Sequence, residues 1–492
     1  MFEIALADFE HDNTMYDVII IGAGVTGSSV ARALSKYDLK VAVIEKHFDV
    51  CEETSKANSG IVHSGYDAKP GTMKAKFNLI GNRMMKDFCK QYQVPFRQNG
   101  SLILMFAEED RPKLEALLKQ GQENGVEGLK ILSKAEVLAM EPNLNDAVVA
   151  ALYAPTGGIV DPFELTISQA EVASMNGVEF HFGKKIDHIE KTGAYFTLQS
   201  GDEILTAKTV VNCAGVFADE INNMVSANKL KITPRKGEYC LFDREVGHWV
   251  DKTIFQLPNA FGKGVLVTPT AENNLLIGPT AYDIDDKYDN STSSEGLKDV
   301  LNKAKLSVKN VPTGFIITAF SGLRATEAKG DFVIGEASDV PGFFNAAGME
   351  SPGLTAAPAV GDYLGNLVSI KLSARLKTEY RSERDPIVRF EPLSIPDKMA
   401  LIQKNREFGK IICRCEMVTL AEIKDAIHRP LGARSLDGVK RRTRAGSGRC
   451  QGGFCGPKVV DILSKELNKD PRDIAKFDEQ AVLLVGFDKE SL

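Results

Sequence analysis

The sequence lacks the features that would place it in a membrane or outside the cell. No run of about 18 apolar residues occurs, so a membrane-spanning helix is not expected. The first fourteen residues contain no Lys or Arg, so a secretory signal is not expected either, and the sequence assigns them no role. The formal net charge of the 492 residues is only −6, with both signs mixed, which argues against nucleic acid as the main ligand. We therefore expect a cytoplasmic, globular chain of two or three cores.

Cysteine is also scarce, because eight in so long a chain are too few for a disulfide scaffold. Four of them lie singly and are predicted to be reduced packing residues: Cys51, Cys89, Cys213 and Cys240. The other four form two close pairs with 34 residues between them: Cys413-x-Cys415 and Cys450-x4-Cys455. Zinc sites usually contain two C-x-x-C pairs, so this spacing favours an iron–sulfur cluster, with zinc as the alternative.

A glycine loop stands near the N-terminus. The apolar segment 16–21 runs directly into Gly22-Ala-Gly24-Val-Thr-Gly27, and a helical pattern follows. A second apolar strand ends in Glu45, 18 residues after Gly27, where a carboxylate would accept hydrogen bonds from a ribose. This order predicts a dinucleotide site with the pyrophosphate at the helix N-terminus. NAD and FAD share the pattern, so the loop alone does not choose between them.

Two later segments favour FAD. The apolar strand 209–213 runs into Ala214 and Gly215 and is predicted to return to the nucleotide. The stretch 343–355 contains several glycines and precedes an Ala-rich helical segment, so its backbone amides would point toward a flavin ring.

With these segments, residues 15 to about 375 resemble the family of FAD-dependent amine and hydroxy-acid oxidoreductases that includes D-amino acid oxidase and glycerol-3-phosphate dehydrogenase. The likeness is strongest to the anaerobic glycerol-3-phosphate dehydrogenase large subunit and to L-2-hydroxyglutarate dehydrogenases. The stretch 54–65 resembles the family segment that passes beside the flavin ring. The resemblance implies FAD contacts from Gly22, Ala23, Gly24, Thr26, Gly27, Glu45, Lys46, Thr54, Ser55, Asn58, Ser59, Gly60, Ala214, Gly215, Gly348, Gly353, Leu354 and Thr355.

The resemblance also implies an α/β fold, in which a Rossmann-like FAD-binding domain carries an inserted mixed-sheet substrate domain. We expect the discontinuous FAD-binding domain to comprise 15–95, 153–231 and 326–373. The substrate-binding domain would comprise 96–152 and 232–325.

The rest of the chain divides into three parts. Residues 374–408 are rich in charges and prolines and are predicted to be a linker that wraps the first domain. Residues 409–467 resemble the small helical [2Fe-2S] domain of the bacterioferritin-associated ferredoxin type, which is also appended to anaerobic glycerol-3-phosphate dehydrogenases. The resemblance implies that Cys413, Cys415, Cys450 and Cys455 bind the cluster. Residues 468–492 form a C-terminal segment.

Local signals predict several helix starts. A capping box, Thr419 to Glu422, and Pro457 would begin two helices just after the cysteine pairs, with their positive ends toward the cluster. The basic run 440–444 fits the same charge, or else forms a solvated helix face or a docking patch for an acidic partner. Asp161 and Glu164 are predicted to begin a helix and to be structural.

Oxidation of a secondary alcohol on a flavin requires an acceptor for the hydroxyl proton and cations for the acidic end of the substrate. His63 and Arg324 are the predicted catalytic residues: His63 would take the proton, and a structural histidine is its alternative. Arg324 resembles the family arginine that binds an acidic group. The predicted substrate-binding residues are Lys56, Arg235, Tyr239 and Arg324.

One position departs from the family pattern. Ala57 stands where the glycerol-3-phosphate enzymes have Arg and the hydroxyglutarate enzymes have His, so the adjacent Lys56 is the predicted substitute. The departure leaves the identity of the substrate open.

These features predict an FAD-dependent dehydrogenase for a small anionic secondary alcohol, with sn-glycerol 3-phosphate as the first candidate. Electrons would pass through FAD and a [2Fe-2S] cluster to a partner protein or subunit, such as a second flavoprotein. The alternatives are an L-2-hydroxyglutarate (2-hydroxy acid) dehydrogenase and an electron-transfer subunit of a multi-subunit amine or imino-acid dehydrogenase. A peripheral association with a membrane stays open.

Overall fold

The computed structural model describes residues 15–257 and 264–486, which form 22 strands and 12 α-helices. Residues 1–14 and the last six residues of the C-terminal segment lie outside the described part. In chain order the strands are β1 (Met15–Ile21), β2 (Val41–Ile44), β3 (Ile61–Val62), β4 (Phe96–Arg97), β5 (Ser101–Met105), β6 (Lys130–Ser133), β7 (Ala150–Ala154), β8 (Gly158–Val160), β9 (Glu179–His181), β10 (His188–Thr192), β11 (Tyr195–Ser200), β12 (Glu203–Asn212), β13 (Ile232–Phe242), β14 (Thr253–Gln256), β15 (Leu266–Pro269), β16 (Leu275–Gly278), β17 (Tyr282–Asp283), β18 (Ile316–Glu327), β19 (Val333–Glu336), β20 (Phe343–Ala347), β21 (Ile411–Cys413) and β22 (Val418–Thr419).

The 12 α-helices of the described residues follow one another in chain order. They are α1 (Val25–Leu34), α2 (Met73–Gln91), α3 (Arg111–Glu123), α4 (Lys134–Met140), α5 (Pro162–Met175), α6 (Ala218–Val225), α7 (Ser294–Ser307), α8 (Gly353–Lys371), α9 (Ile395–Lys404), α10 (Leu420–His428), α11 (Leu436–Thr443) and α12 (Gly456–Leu467). No helix in the described ranges is long and apolar enough to cross a membrane.

The first sheet has eight strands built around β1. Their order is β10-β11-β12-β1-β2-β9, with β20 beside β12 and β19 beside β20. Strand β1 is parallel to both β2 and β12, as the glycine loop predicts, and its apolar side chains are buried between layers. Helix α1 packs against α5 and α8 over this sheet. The carboxyl ends of β1, β2 and β12 therefore meet at one edge, where ligands of open α/β sheets bind.

The second sheet has nine strands, in the order β17-β13-β16-β15-β14-β5-β7-β6, with β18 beside β13. It is mixed, because β14 and β5 are parallel while its other pairs are antiparallel. Strands β13 and β18 pair over almost their full length, which places Arg235 directly opposite Arg324. The fold class is the one expected from the sequence, and the exact domain boundaries stay a prediction.

The segment predicted to be a linker wraps the first sheet and is anchored by buried charge. The guanidinium of Arg384 is fully buried, 2.7 Å from Glu164 Oε2 and 3.2 Å from Glu171 Oε2. From α10, Arg429 binds the same Glu171 at 2.9 and 3.1 Å. Asp161 caps α5 through the N–H groups of residues 163 and 164. Buried charges need such partners, so this network ties linker, α5 and the C-terminal helices together.

The sequence did not predict α9, which lies within the linker. Ser394 caps it and Pro396 stands in its first turn, but none of its residues is buried. Its apolar residues Ile395, Met399 and Ile402 do recur at helical spacing, but they lie in a segment whose charges and prolines favoured a linker.

Candidate active site

The turn between β1 and α1 has no room for side chains. Gly22 has φ +102°, and a Cβ there would lie 2.6 Å from the carbonyl oxygen of Cys213. A Cβ on Gly27 would lie 1.9 Å from the carbonyl oxygen of Gly22. The cap residue of α1, Gly24, offers no side-chain acceptor. The N-terminus of α1 can therefore approach an anion closely, as a dinucleotide site requires.

Glu45 lies at the end of β2 beside this turn. Its carboxylate accepts the N–H of Ala23 at 2.7 Å and the N–H of His47 at 2.9 Å. Burial raises the pKa of Glu45, although the two amide hydrogen bonds act in the opposite direction. The adjacent Lys46 lies 3.0 Å from Glu53 and 3.9 Å from the centre of the Phe217 ring. The carboxylate occupies the position at which this kind of site binds a ribose.

A cavity of about 1270 Å³ opens at this edge and runs on to the second sheet. Thirteen of the predicted FAD contacts line it: Gly22, Gly24, Thr26, Glu45, Lys46, Thr54, Ser55, Asn58, Ser59, Ala214, Gly215, Gly353 and Leu354. The other five lie behind the wall: Ala23, Gly27, Gly60, Gly348 and Thr355. Of the predicted catalytic and substrate-binding residues, four line the cavity: His63, Arg235, Tyr239 and Arg324. One continuous space therefore joins the two predicted sites.

The segment predicted to pass beside the flavin is pinned by its own side chains. The hydroxyl of Thr54 donates to the carbonyl of Leu323 at 2.6 Å, and Ser55 Oγ accepts the Val25 N–H at 2.9 Å. Asn58 donates to two carbonyls of the preceding turn and accepts the Gly60 N–H at 2.8 Å. The segment therefore has a fixed shape between β18 and the start of α1.

His63 is held from several directions. Its Nε2 lies 3.1 Å from Ser351 Oγ, and its backbone N–H donates to Thr355 Oγ1 at 2.9 Å. Its carbonyl accepts the amide groups of Asn78 and Asn82. The imidazole thus has a fixed orientation on the cavity wall, which serves either a proton acceptor or a structural histidine.

Arg324 is a half-buried cation whose hydrogen bonds go to neutral groups. Its Nη2 donates to the carbonyl of Thr280 at 2.7 Å, and its Nε donates to the carbonyl of Arg235 at 3.3 Å. Burial lowers the pKa of Arg324. Within the described part of the chain, no carboxylate lies within ion-pair distance of this guanidinium. A desolvated cation on a cavity wall with no counter-ion is suited to bind an anionic ligand.

The other three predicted substrate-binding residues are Arg235, Tyr239 and Lys56. The guanidinium of Arg235 lies 2.6 and 3.1 Å from the two Asp283 oxygens, a pairing that raises its pKa. Tyr239 is buried and stacks on Phe320 at 4.9 Å between ring centres. Lys56 pairs with Glu52 and does not itself line the cavity.

Lys56 was predicted to replace a family cation at the substrate, and this role stays a prediction; its side chain does not line the cavity. The backbone carbonyl of Ala57 packs against Gly322, where a Cβ would approach it to 1.9 Å. Ala57 therefore faces β18 and the cavity, and the preceding side chain points away from both.

An ion pair near His63 was not predicted from the sequence. Lys74 Nζ lies 2.6 Å from Glu350 Oε1, and the hydroxyl of Thr326 donates to Glu350 Oε2 at 2.7 Å. Glu350 and Ser351 both belong to the stretch 343–355, for which the sequence predicted flavin contacts but no ion pair. This pair fixes the loop that presents Ser351 to the imidazole.

The four C-terminal cysteines form two pairs. Cys415 Sγ lies 3.7 Å from Cys450 Sγ. The Cys413 thiol pairs with Cys455, and this hydrogen bond, with backbone amides around it, lowers the pKa of Cys413 to about 6. Among the described residues no three Cys, His, Asp or Glu side chains converge on one point, as a single metal ion would need. Two thiolate pairs are the donor set of a two-iron cluster, in which each iron takes two protein ligands.

The scattered cysteines are buried, as predicted. Burial raises the pKa of three of these thiols to about 12 and that of Cys240 to about 11. A neutral buried thiol is an inert packing group.

The basic run of α11 does not form a solvated face. Arg442 binds both oxygens of Asp49 at 2.7 Å, and Arg441 Nη2 lies 2.7 Å from Asp49 and 2.7 Å from Glu52. Burial raises the pKa of Asp49, but the guanidinium groups outweigh it and bring the pKa to about 2. Only Arg444 is directed toward the cysteines, through Glu416 at 2.7 Å. Most of this charge thus docks the cysteine module onto the first sheet's domain.

Comparison with known proteins gives the class. A family model for FAD dependent oxidoreductases matches residues 17–367, and the chain belongs to that family. A second model, for the BFD-like [2Fe-2S] binding domain, matches residues 411–465. The protein is an FAD-dependent oxidoreductase that carries a [2Fe-2S] cluster in addition to FAD.

Two relatives and one solved structure show which members of the family the chain is similar to. The chain is 50% identical over 473 residues to a glycerol 3-phosphate dehydrogenase of Caloramator mitchellensis, which covers 96% of this chain and 98% of that protein. It is 30% identical to an L-2-hydroxyglutarate dehydrogenase of Indibacter alkaliphilus, over 54% of this chain and 68% of that protein. Among solved structures, the FAD-bound L-alpha-glycerophosphate oxidase of Mycoplasma pneumoniae matches with a TM-score of 0.72 and 30% identity. That match covers 76% of this chain and all of the oxidase.

The cysteine module yields a prediction. Replacing Cys450 with Ser removes one ligand of the Cys415 pair, so the cluster should be lost while FAD stays bound. The measurement is visible absorption and electron paramagnetic resonance of the reduced protein, with flavin content determined after denaturation. Cys89→Ala, in a buried thiol far along the chain from the module, is the control and should keep both chromophores. A Cys450→Ser protein with a full cluster signal would show that another residue is the ligand.

Proposed function

We propose that the protein is a dehydrogenase that oxidises sn-glycerol 3-phosphate to dihydroxyacetone phosphate. The observation that carries this proposal is the half-buried guanidinium of Arg324, which lines the same cavity as His63 and has no carboxylate within ion-pair distance among the described residues. The 50% identical relative named glycerol 3-phosphate dehydrogenase supports the choice of substrate, because it matches nearly the whole chain.

Two guanidinium groups are available to the phosphate. Arg235 and Arg324 stand opposite each other on β13 and β18, so their side chains leave the same face of the sheet toward the cavity. Arg324 supplies the uncompensated charge, and Arg235 supplies a charge that Asp283 neutralises in part. Forked donors suit phosphate oxygens, and a second arginine favours the more highly charged group over a carboxylate.

His63 accepts the proton of the substrate hydroxyl. Its ring faces the cavity, and the contact between Nε2 and Ser351 Oγ fixes the ring plane. A positioned imidazole is an effective proton acceptor near neutral pH. FAD, when bound, takes the hydride from the substrate carbon. The Lys74–Glu350 pair keeps the Ser351 loop in place while the substrate binds.

L-2-hydroxyglutarate is the second candidate. Arg324 would bind a carboxylate as readily as a phosphate, and Ala57 favours neither substrate, because it departs from the Arg of the glycerol-3-phosphate enzymes and from the His of the hydroxyglutarate enzymes alike. The 30% identical hydroxyglutarate relative supports this alternative over about half of the chain. A third reading, an electron-transfer subunit without its own substrate, is disfavoured by a cavity of about 1270 Å³ with His63 and Arg324 on its wall.

An anaerobic titration separates these candidates. We expect sn-glycerol 3-phosphate to bleach the flavin absorption band and L-2-hydroxyglutarate to leave it unchanged. The Arg324→Met variant should require at least about tenfold more substrate for half-bleaching, because a charge-assisted bidentate contact is lost. The two substrates are added separately to the purified protein while its visible spectrum is recorded.

Arg244→Met is the matched control, because Arg244 pairs with Glu416 outside the cavity. It should bleach as the parent does. Bleaching by L-2-hydroxyglutarate alone would transfer the proposal to the second candidate. A flavin that neither compound bleaches would contradict both.

His63→Asn tests the proton acceptor. Asparagine retains hydrogen-bonding capacity but takes up no proton, so the rate constant of flavin bleaching should fall by about 100- to 1,000-fold. Stopped-flow absorbance under anaerobic conditions measures the rate, and the substrate concentration for half-saturation should change little. A structural histidine would instead show itself through weakened FAD retention with an unchanged bleaching rate in the protein that keeps FAD.

Electrons leave through the cluster for a partner protein in this proposal. Cys415 is exposed, and Phe454, next to Cys455 in the chain, is 83% exposed, so this edge of the module reaches the surface. A cluster passes single electrons, which a protein acceptor with a one-electron centre can take. The eight free cysteines favour a reducing, cytoplasmic location.

The same Cys450→Ser protein tests this route. Its flavin should still bleach at the parental rate with sn-glycerol 3-phosphate, because Cys450 does not line the cavity. Reduction of cytochrome c, a one-electron acceptor protein, should fall at least about tenfold, because only the slower direct route from flavin remains. Both are followed by absorbance. Unchanged cytochrome c reduction would mean that electrons leave directly from the flavin.

A further inference from the structure

We propose that Arg441, in the cysteine module, is a positioning residue for FAD. It holds the flavin segment in place through Glu52, so FAD affinity depends on a side chain that lies almost 390 residues away from that segment. The proposal concerns FAD binding alone and is independent of the substrate.

The contact is buried and direct. Arg441 Nη2 lies 2.7 Å from Glu52 Oε1 and 2.7 Å from Asp49 Oδ2. The side chains of Arg441 and Glu52 are only 4% and 6% exposed. Lys56 binds the other oxygen of the Glu52 carboxylate. One carboxylate thus links a helix of the module to both ends of the 3-10 turn Glu53–Ser55.

The same turn reaches the dinucleotide site. Glu52 itself lines the cavity and immediately precedes the turn. The last residue of the turn, Ser55, accepts the N–H of Val25 in the first turn of α1, and its Oγ would lie 2.9 Å from a Cβ on Gly24. Thr54 is tied to β18. A displacement of Glu52 would therefore move groups that touch the N-terminus of α1, where the FAD pyrophosphate binds.

Charge adds to the effect of position. Three cations, Lys56, Arg441 and Arg442, face the two carboxylates of Asp49 and Glu52. Loss of Arg441 would leave Glu52 with Lys56 alone, a partner whose side chain is 35% exposed. A less compensated carboxylate on the cavity wall would repel the FAD pyrophosphate and would tend to move toward water.

Another buried arginine of the module provides a control for general loosening of the interface. Arg429 binds Glu171 on α5, outside the flavin segment, and Glu171 keeps Arg384 when Arg429 is removed. Arg429→Met should weaken docking of the module without touching Glu52. A purely structural role for Arg441 would make the two arginine variants alike.

The experiment is a double-mutant cycle on FAD affinity. Full-length Arg441→Met, Glu52→Gln, the double variant and Arg429→Met are freed of FAD and titrated with FAD, with flavin fluorescence as the readout. Cluster absorption confirms that the module is folded in each. We expect Arg441→Met to raise the FAD dissociation constant about tenfold, because it breaks one side of a buried pair. In the Glu52→Gln background the same change should have an effect of less than about twofold, because residue 52 no longer carries a charge and Asp49 keeps both of its contacts to Arg442.

Arg429→Met should stay within about twofold of the parent, which sets the scale for loosening of the interface. An equal effect of Arg441→Met in the parent and in the Glu52→Gln background would overturn the proposal, as would an effect no larger than that of Arg429→Met. If Arg441→Met loses the cluster, Arg441→Lys takes its place, because lysine keeps the positive charge but lacks the planar guanidinium fork and its reach. That variant should show a smaller rise that again disappears in the Glu52→Gln background, and a rise that persists there would overturn the proposal.

Discussion

The close approach of backbone to backbone at the end of β1 is the constraint on which the rest of the site depends. Gly22 lies against the carbonyl of Cys213, and Gly27 lies against the carbonyl of Gly22, with no space for a side chain between them. This contact brings the start of α1 to the sheet edge at which β2 presents Glu45. The cavity, and the segment that runs along it, are arranged around that helix end.

Buried ion pairs attach the cysteine module to this framework. Arg441 and Arg442 meet Asp49, while Arg429 and Arg384 meet Glu171, and all of these groups are nearly inaccessible to water. Burying a charge costs free energy, which is offset only when the charge is paired with its partner. An interface made of such pairs, a charged seam, therefore permits few alternative arrangements. An apolar seam of equal area would tolerate sliding of the module. A charged seam instead fixes the orientation of the module against the flavin domain, which suits a chain that holds two redox groups.

What the sequence predicted well is local. The glycine loop, Glu45 and the capping box of α10 depend on a few adjacent residues, and the structure places them as expected. Contacts between distant positions were not predictable in this way. Ser351 meets His63 across 288 residues, and Arg441 meets Asp49 across 392. Lys56 shows another limit of prediction from sequence. The direction of its side chain, at the end of a 3-10 turn, depends on which neighbouring residue packs against β18, and that residue is Ala57.

Under the proposed function, Arg324 would give the site selectivity without a fixed counter-ion. Backbone carbonyls hold its guanidinium in place but bring no negative charge, so desolvation is left uncompensated until an anion enters. Arg235, by contrast, keeps Asp283 and contributes only part of its charge. A neutral alcohol would leave Arg324 unpaired, and a singly charged carboxylate would satisfy it alone. Under the proposed function a phosphate would compensate Arg324 and also draw on Arg235, so the pair of strands that carries both residues would discriminate by the charge of the ligand as well as by its shape.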